Sequence, residues 1–193
     1  MTVVPVTEDE RPWMPVGREW TVDDLDALPD DGLRYELFDG VLVVSAAPYL
    51  RHQRALQGMY RLLFAACPPV LEVFVAPVDF RPNRVRSFEP DLLVVPRGLS
   101  GDQPAVEHPP VLAVEILSKT TRSLDLVWKR AMYASSGVAN YWTFDPAEDK
   151  LEFVASELVD GVYLDVARAA GTESVRVARP FPVEVCPETV AAG

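Results

Sequence analysis

Cysteine and histidine are nearly absent from this sequence. Cys67 and Cys186 stand far apart and without CxxC spacing, so neither a disulfide framework nor a zinc knuckle is indicated, and both read as ordinary thiols. With His52 and His108 the only histidines, a zinc centre rich in nitrogen and sulfur ligands is not expected. Any metal should be a hard cation held by carboxylates, magnesium or manganese. No apolar run approaches the roughly 18 residues needed to span a bilayer. The N-terminal stretch carries Glu8, Asp9 and Glu10 in place of a basic region followed by an apolar one, which is not the pattern of a targeting segment. The expectation is a soluble cytoplasmic protein with no membrane partner.

Positive charge is also scarce. Lys and Arg number 18 against 29 Asp and Glu, for a net charge of −11 and a pI near 4.6, which argues against a grip on nucleic acid through a global positive field. Only Lys119, Lys129 and Lys150 are lysines, and every other basic residue is arginine. Arg pairs well with phosphate, so a local arginine stripe could serve where the overall field does not. What the sequence does have is apolar material: 193 residues at 49% hydrophobic suffice for one substantial core, and length favours one domain.

Residues 1–19 hold three prolines, mixed charge and no periodicity, and read as an arm ordered where Trp13 and Trp20 can pack. The domain proper is expected over 20–180, and 181–193 read as a loosely held tail. Thr21-Val22-Asp23-Asp24 matches a capping box opening a short helix that ends at Pro29 and the turn around Asp30-Asp31-Gly32. Asp39-Gly40 between Tyr35–Phe38 and Val41–Val44 is a tight-hairpin signal. From about Leu50 to Ala66 the apolar spacing is helical, with His52 at the start of the inward stripe and Arg51, Arg54 and Arg61 on another face.

Strands are expected over Val70–Phe80, Pro90–Val95 and Val111–Leu117, the last apolar enough to be central. A helix capped by Thr121 or Ser123 should then run over Arg122–Ser136 to Gly137. Asn140–Phe144, Leu151–Ala155 and Val162–Arg168 follow as strands, with turns at Asp145-Pro146 and Asp160-Gly161. This order describes an α/β (α+β) domain with a mixed sheet flanked by helices.

Asp91 opens a strand after Pro90, and Glu115 sits inside Val111–Leu117. A bare carboxylate in such an apolar run costs several kcal/mol unless it is paired, hydrogen-bonded or metal-bound. If neighbouring strands carry both acids to the same sheet end, they supply oxygen ligands for a divalent cation, and Glu36 could add a third carboxylate. The competing reading pairs each acid with an arginine at a strand end, and spacing does not choose between the two. Likewise Lys129, four residues after Asp125 on a helix, could be a surface ion partner of about 0.3–0.5 kcal/mol. His52 on an apolar helical face is commonly a hydrogen-bonded core residue, and Arg51, Arg54 and Arg61 a solvated face. Tyr141 and Trp142 read as core.

In order, Tyr35-Glu36-Leu37-Phe38-Asp39-Gly40, His52-Gln53, Pro90-Asp91, Val114-Glu115-Ile116-Leu117-Ser118, Thr121-Arg122, Asp125 with Lys129, Tyr133, Gly137-Val138 and Tyr141-Trp142 resemble the Uma-two endonuclease family of the PD-(D/E)XK superfamily. The resemblance implies a restriction-endonuclease-like core with an N-terminal helix and hairpin. It implies metal-assisted hydrolysis of phosphodiester bonds in DNA, with Asp91 and Glu115 as ligands of Mg²⁺ or Mn²⁺ and Glu36 as an additional acid. The position two after Glu115 is Leu117 and not lysine, so the catalytic lysine moves to the following helix as Lys129, with Lys119 as fallback. His52 and Gln53 would position the site, Arg51 or Arg54 would contact flanking phosphates, and the protein would act as a homodimer. Two other readings stay open: a catalytically silent binding or assembly domain on the nuclease fold, and a metal-dependent hydrolase of small phosphate esters.

Overall fold

A computed structural model describes residues 18–29, 31–45, 49–99, 105–118, 122, 124–149 and 151–193, with Leu124 and Asp125 described for the backbone only. Helix α1 (Val22–Asp26) opens on the expected capping box: Thr21 Oγ1 accepts from the Asp24 backbone N–H, and the Asp24 carboxylate accepts from the Thr21 N–H. Strands β1 (Arg34–Phe38) and β2 (Val41–Ser45) form the expected hairpin, with Asp39 and Gly40 both at positive φ. Glycine suits that backbone without penalty, and Asp tolerates it better than most residues. Helix α2 spans Leu50–Ala66. Then follow β3 (Leu71–Val75), β4 (Asp79–Asn83), β5 (Arg86–Phe88), β6 (Leu92–Pro96), β7 (Ala105–Val106) and β8 (Leu112–Ile116). The rest of the chain supplies helix α3 (Arg130–Ser135), strands β9 (Asn140–Asp145), β10 (Glu152–Val159), β11 (Val162–Ala170), β12 (Val175–Val177) and β13 (Val183–Val185), and helix α4 (Pro187–Ala192).

The main sheet has the order β11-β10-β9-β8-β6-β3, with β8 and β9 parallel and its other pairs antiparallel. A second sheet has the order β2-β1-β5-β4-β7. A parallel pair needs a crossover connection, and α3 lies within the one joining β8 to β9. Side chains of β6 and β8 alternate between the two faces. Leu92, Val94, Leu112, Val114 and Ile116 pack with Ala55, Leu56, Met59 and Leu63 of α2. Leu93, Val95 and Ala113 pack with Tyr133 of α3 and with Phe38, Phe80 and Phe88 of the second sheet. Both faces are covered, which is why these strands read as unbroken apolar runs. No described helix is long and apolar enough to cross a membrane.

Three expectations need correction. The single strand over Val70–Phe80 is two strands in different sheets, β3 and β4, separated around Pro77, which has no N–H to donate to a ladder. The helix over Arg122–Ser136 is a π-helical turn over Leu124–Lys129 running into α3; its supposed caps, Thr121 and Ser123, lie outside the described residues, as do Asp30 of the first turn and Trp13 of the arm. Residues 181–193 are not loosely held: Phe181, Val183, Val185 and Val190 belong to the main core. Pro187, at the first helical position where its missing N–H costs nothing, was a readable start signal for α4.

The seat of α4 is Gly58, in the middle of α2. A Cβ there would lie 2.1 Å from the Val190 carbonyl oxygen and 2.9 Å from its carbon. Glycine inside a helix ordinarily costs about 1 kcal/mol relative to alanine, so it is tolerated here because it lets two backbones touch. Gly58→Ala should therefore destabilise the chain by about 1–3 kcal/mol in urea unfolding, the range for overpacking. The same substitution after deletion of 187–193 should stabilise instead, since only the helix-propensity effect remains.

Candidate active site

Asp91 precedes β6 by one residue and Glu115 sits in β8. The register pairs Leu92 with Val114, so the antiparallel ladder sets Asp91 across from Glu115 at its end. Both follow the odd-numbered positions that face α3 and the second sheet. Glu36 of β1 approaches from that second sheet, and Lys129 from the last residue of the π turn. The four are 2 to 3% exposed.

Lys129 joins them. Its Nζ donates to Glu115 Oε1 at 3.0 Å and lies 3.1 Å from Glu36 Oε1. Glu115 Oε1 also accepts from the Tyr133 hydroxyl at 2.7 Å, one helical turn beyond Lys129. Glu36 Oε1 accepts from the Glu89 backbone N–H at 3.0 Å. Asp91 Oδ2 accepts from the Ile116 backbone N–H at 2.7 Å and lies 3.2 Å from His52 Nε2; the imidazole is a donor there if its proton sits on Nε2. Arg34 closes the ring, its guanidinium 3.4 Å from Asp91 Oδ1, 3.6 Å from Glu36 Oε2 and 3.2 Å from Glu89 Oε1.

Burial would push the Asp91 carboxyl up, but the His52 hydrogen bond and the charges of His52, Arg34 and Lys129 hold it below the ordinary value. Burial and the adjacent Glu115 and Glu36 push the Tyr133 phenol well above its ordinary value, so it remains a donor. Burial works against the Arg34 charge, yet Glu36, Glu115, Asp91 and Glu89 raise its pKa. Glu89 is raised by burial, against the opposing pull of Arg34. Setting His52 aside, the described residues set four carboxylates against two cations, an excess of two negative charges among them, with Glu36, Asp91, Glu115 and Lys129 buried and Arg34 and Glu89 partly exposed. His52 Nδ1 and Arg34 Nη2 are buried without a hydrogen-bond partner among the described residues.

The structure thus brings Glu36, Asp91, Glu115, Lys129 and His52 together. Arg51 is exposed and lies 3.4 Å from Glu148, Arg54 is exposed, and Gln53 is half-buried and makes no side-chain hydrogen bond to the cluster among the described residues. Lys119 lies outside the described residues, as does the Asp125 side chain. Lys129 is not the surface ion partner that helical spacing allowed. The arginine-pairing reading describes Asp91 and Glu36, which share Arg34, whereas Glu115 takes a lysine. Sequence reading missed Arg34 and Glu89 and gave Tyr133 no role. The available signals were the two-residue step from Arg34 to Glu36, the step from Glu89 to Asp91, and the four-residue step from Lys129 to Tyr133.

Comparisons with known proteins agree with this architecture. A family model described as "Putative restriction endonuclease", Uma2, matches residues 22–190. Among solved structures, a putative nuclease belonging to DUF820 from Anabaena variabilis ATCC 29413 superposes with a TM-score of 0.70 at 16% identity, over 89% of this chain and 97% of its own. At that identity the likeness concerns the fold. No match is found among curated proteins.

Removing one member of a buried ionic cluster leaves its partners uncompensated. Lys129→Met should destabilise by about 3–5 kcal/mol in urea unfolding, and the double variant with Glu36→Gln should recover part of that loss. Tyr133→Phe, which removes one donor from Glu115, should cost about 1–3 kcal/mol.

Proposed function

The chain belongs to the Uma2 family, described as putative restriction endonucleases, and on that premise we propose that it is a divalent-metal-dependent nuclease that hydrolyses phosphodiester bonds in DNA. The observation that carries this reading is the convergence of Asp91, Glu115 and Lys129 at one end of the β6–β8 ladder. Oxygen donors and an excess of negative charge suit a hard cation. Among the described residues, no group of three or more His, Cys, Asp or Glu side chains is arranged to hold a metal. That is compatible with magnesium, which commonly takes one or two carboxylates and completes its shell with water and substrate phosphate.

Asp91 and Glu115 would hold the cation, which when bound polarises the phosphodiester and lowers the pKa of a water. The chain's own groups prepare the site for this. The Ile116 N–H and His52 hold the Asp91 carboxylate ionised and in one orientation. Tyr133 does the orienting for Glu115 without taking its charge away. Lys129 supplies a fixed positive charge at the same oxygen, placed to stabilise negative charge that builds on the phosphate. Glu36 keeps the lysine ammonium in that position and lies beside it as an additional acid.

Titration calorimetry with Mn²⁺ and Mg²⁺ on the wild type and Asp91→Ala, followed by cleavage of a linear DNA with the same pair, tests this. Binding and cleavage should both vanish in Asp91→Ala, while Lys129→Met should keep metal binding and cleave at least about 100-fold more slowly, the lower range for loss of a positioned electrostatic group. Wild type that binds neither metal overturns the mechanism. Cleavage should fall steeply as salt rises, because phosphate contacts release counterions; a salt-insensitive rate on a small phosphodiester would instead assign the site to small esters.

A further inference from the structure

Trp128 sits next to Lys129 in the π turn but is not buried with it: Lys129 is 2% exposed beside Glu36 and Glu115, whereas Trp128 is 51% exposed and Val127 beside it 63% exposed. By contrast, Trp20 and Trp142 are buried. The Trp128 ring is anchored on Phe38, with centroids 6.3 Å apart and planes at 60°. Phe38 follows Glu36 by two positions on β1 and projects to the same side, roughly 6.6 Å along the strand. The exposed indole is therefore one ring contact plus about 6.6 Å of strand from Glu36, and one residue along the chain from Lys129.

The charge of the chain as a whole is unfavourable for gripping a duplex. Arg51, Arg81, Arg84, Arg86, Arg97 and Arg130 each have a carboxylate oxygen between 2.5 and 3.8 Å away, against three exposed arginines, Arg54, Arg61 and Arg176, without an ion partner among the described residues, and the chain carries a net −11. Duplex binding depends chiefly on phosphate contacts made by unspent cations. Stacking of a base on an aromatic ring needs no such field, but it needs a base that is not already stacked within a helix.

We propose that Trp128 is a base-stacking platform and that this site takes an unpaired nucleic acid strand, the base on the indole delivering its neighbouring phosphate to Lys129, Asp91 and Glu115. The proposal rests on the nuclease reading for the position of the phosphate. It assigns Trp128 to substrate selection and leaves hydrolysis to the buried groups.

The test compares a fluorescein-labelled oligothymidylate, an abasic oligomer of the same length and charge, and the oligothymidylate annealed to its complement, by anisotropy in EDTA so that nothing is cut. The wild type should bind the thymidine strand tighter than the abasic strand by about 5- to 150-fold, the range for one stacked base, and tighter than the duplex. Trp128→Ala should bind thymidine and abasic strands alike, and Trp128→Phe should retain most of the preference. Thermal melts of both variants report their folding, and the abasic comparison on wild type needs no variant at all. Equal wild-type affinity for thymidine and abasic strands, or no binding of the thymidine strand, overturns the proposal. The nuclease reading is tested apart from this: stacking intact with no Mg²⁺-dependent cleavage removes that reading alone, and cleavage with equal affinity for the two strands removes the stacking proposal alone.

Discussion

Three buried carboxylates and a partly buried fourth are the constraint around which the rest of the chain is arranged. Each ionised acid removed from water carries a penalty of several kcal/mol unless a cation or hydrogen-bond donors compensate it. Glu36, Glu89, Asp91 and Glu115 are compensated by Arg34, Lys129, the Tyr133 hydroxyl and two backbone N–H groups. Meeting that demand ties β1, the start of β6, the C-terminal end of β8 and the π turn to one another. The apolar packing on either side of the main sheet supplies the bulk of the burial. The ionic cluster fixes which strand ends must meet.

Such a cluster is a poor source of stability, because well-packed apolar side chains would often serve as well or better. Its presence is what the proposed chemistry would require. Among the described residues four carboxylates face two cations, and Arg34 Nε, Arg34 Nη2 and His52 Nδ1 are buried without a hydrogen-bond partner. An acidic exterior and an internally overcharged site fit together if the protein attracts its substrate through a cation and through aromatic contact, with little help from a positive surface.

Much of the fold could be read from the sequence because its signals were local. The Asp39-Gly40 turn, the Thr21 capping box and the helix over Leu50–Ala66 depend on neighbours within a few residues, and they stand where periodicity placed them. The apolar run around Glu115 likewise identified a central strand covered on both faces. The break at Pro77 was visible as a residue, but the assignment of its two flanks to different sheets was not. The C-terminal packing depends on Gly58, more than 120 residues before α4 in the sequence, and no local pattern announces such a contact. At the site, Asp91, Glu115, Glu36 and Lys129 could be nominated from their apolar surroundings and from the family resemblance. Arg34 and Glu89 were missed, because their two-residue steps to Glu36 and Asp91 put them on a shared face without showing, before the sheet order is known, what lies opposite.

The cluster draws its members from Arg34 and Glu36, His52, Glu89 and Asp91, Glu115, and Lys129 with Tyr133. These segments are joined only when the long loops between them have closed, and that entropy must be spent before any of the contacts exist. A half-folded chain thus holds scattered acids and no arranged centre. Any activity that needs the assembled cluster is therefore absent from a chain that has not closed these loops.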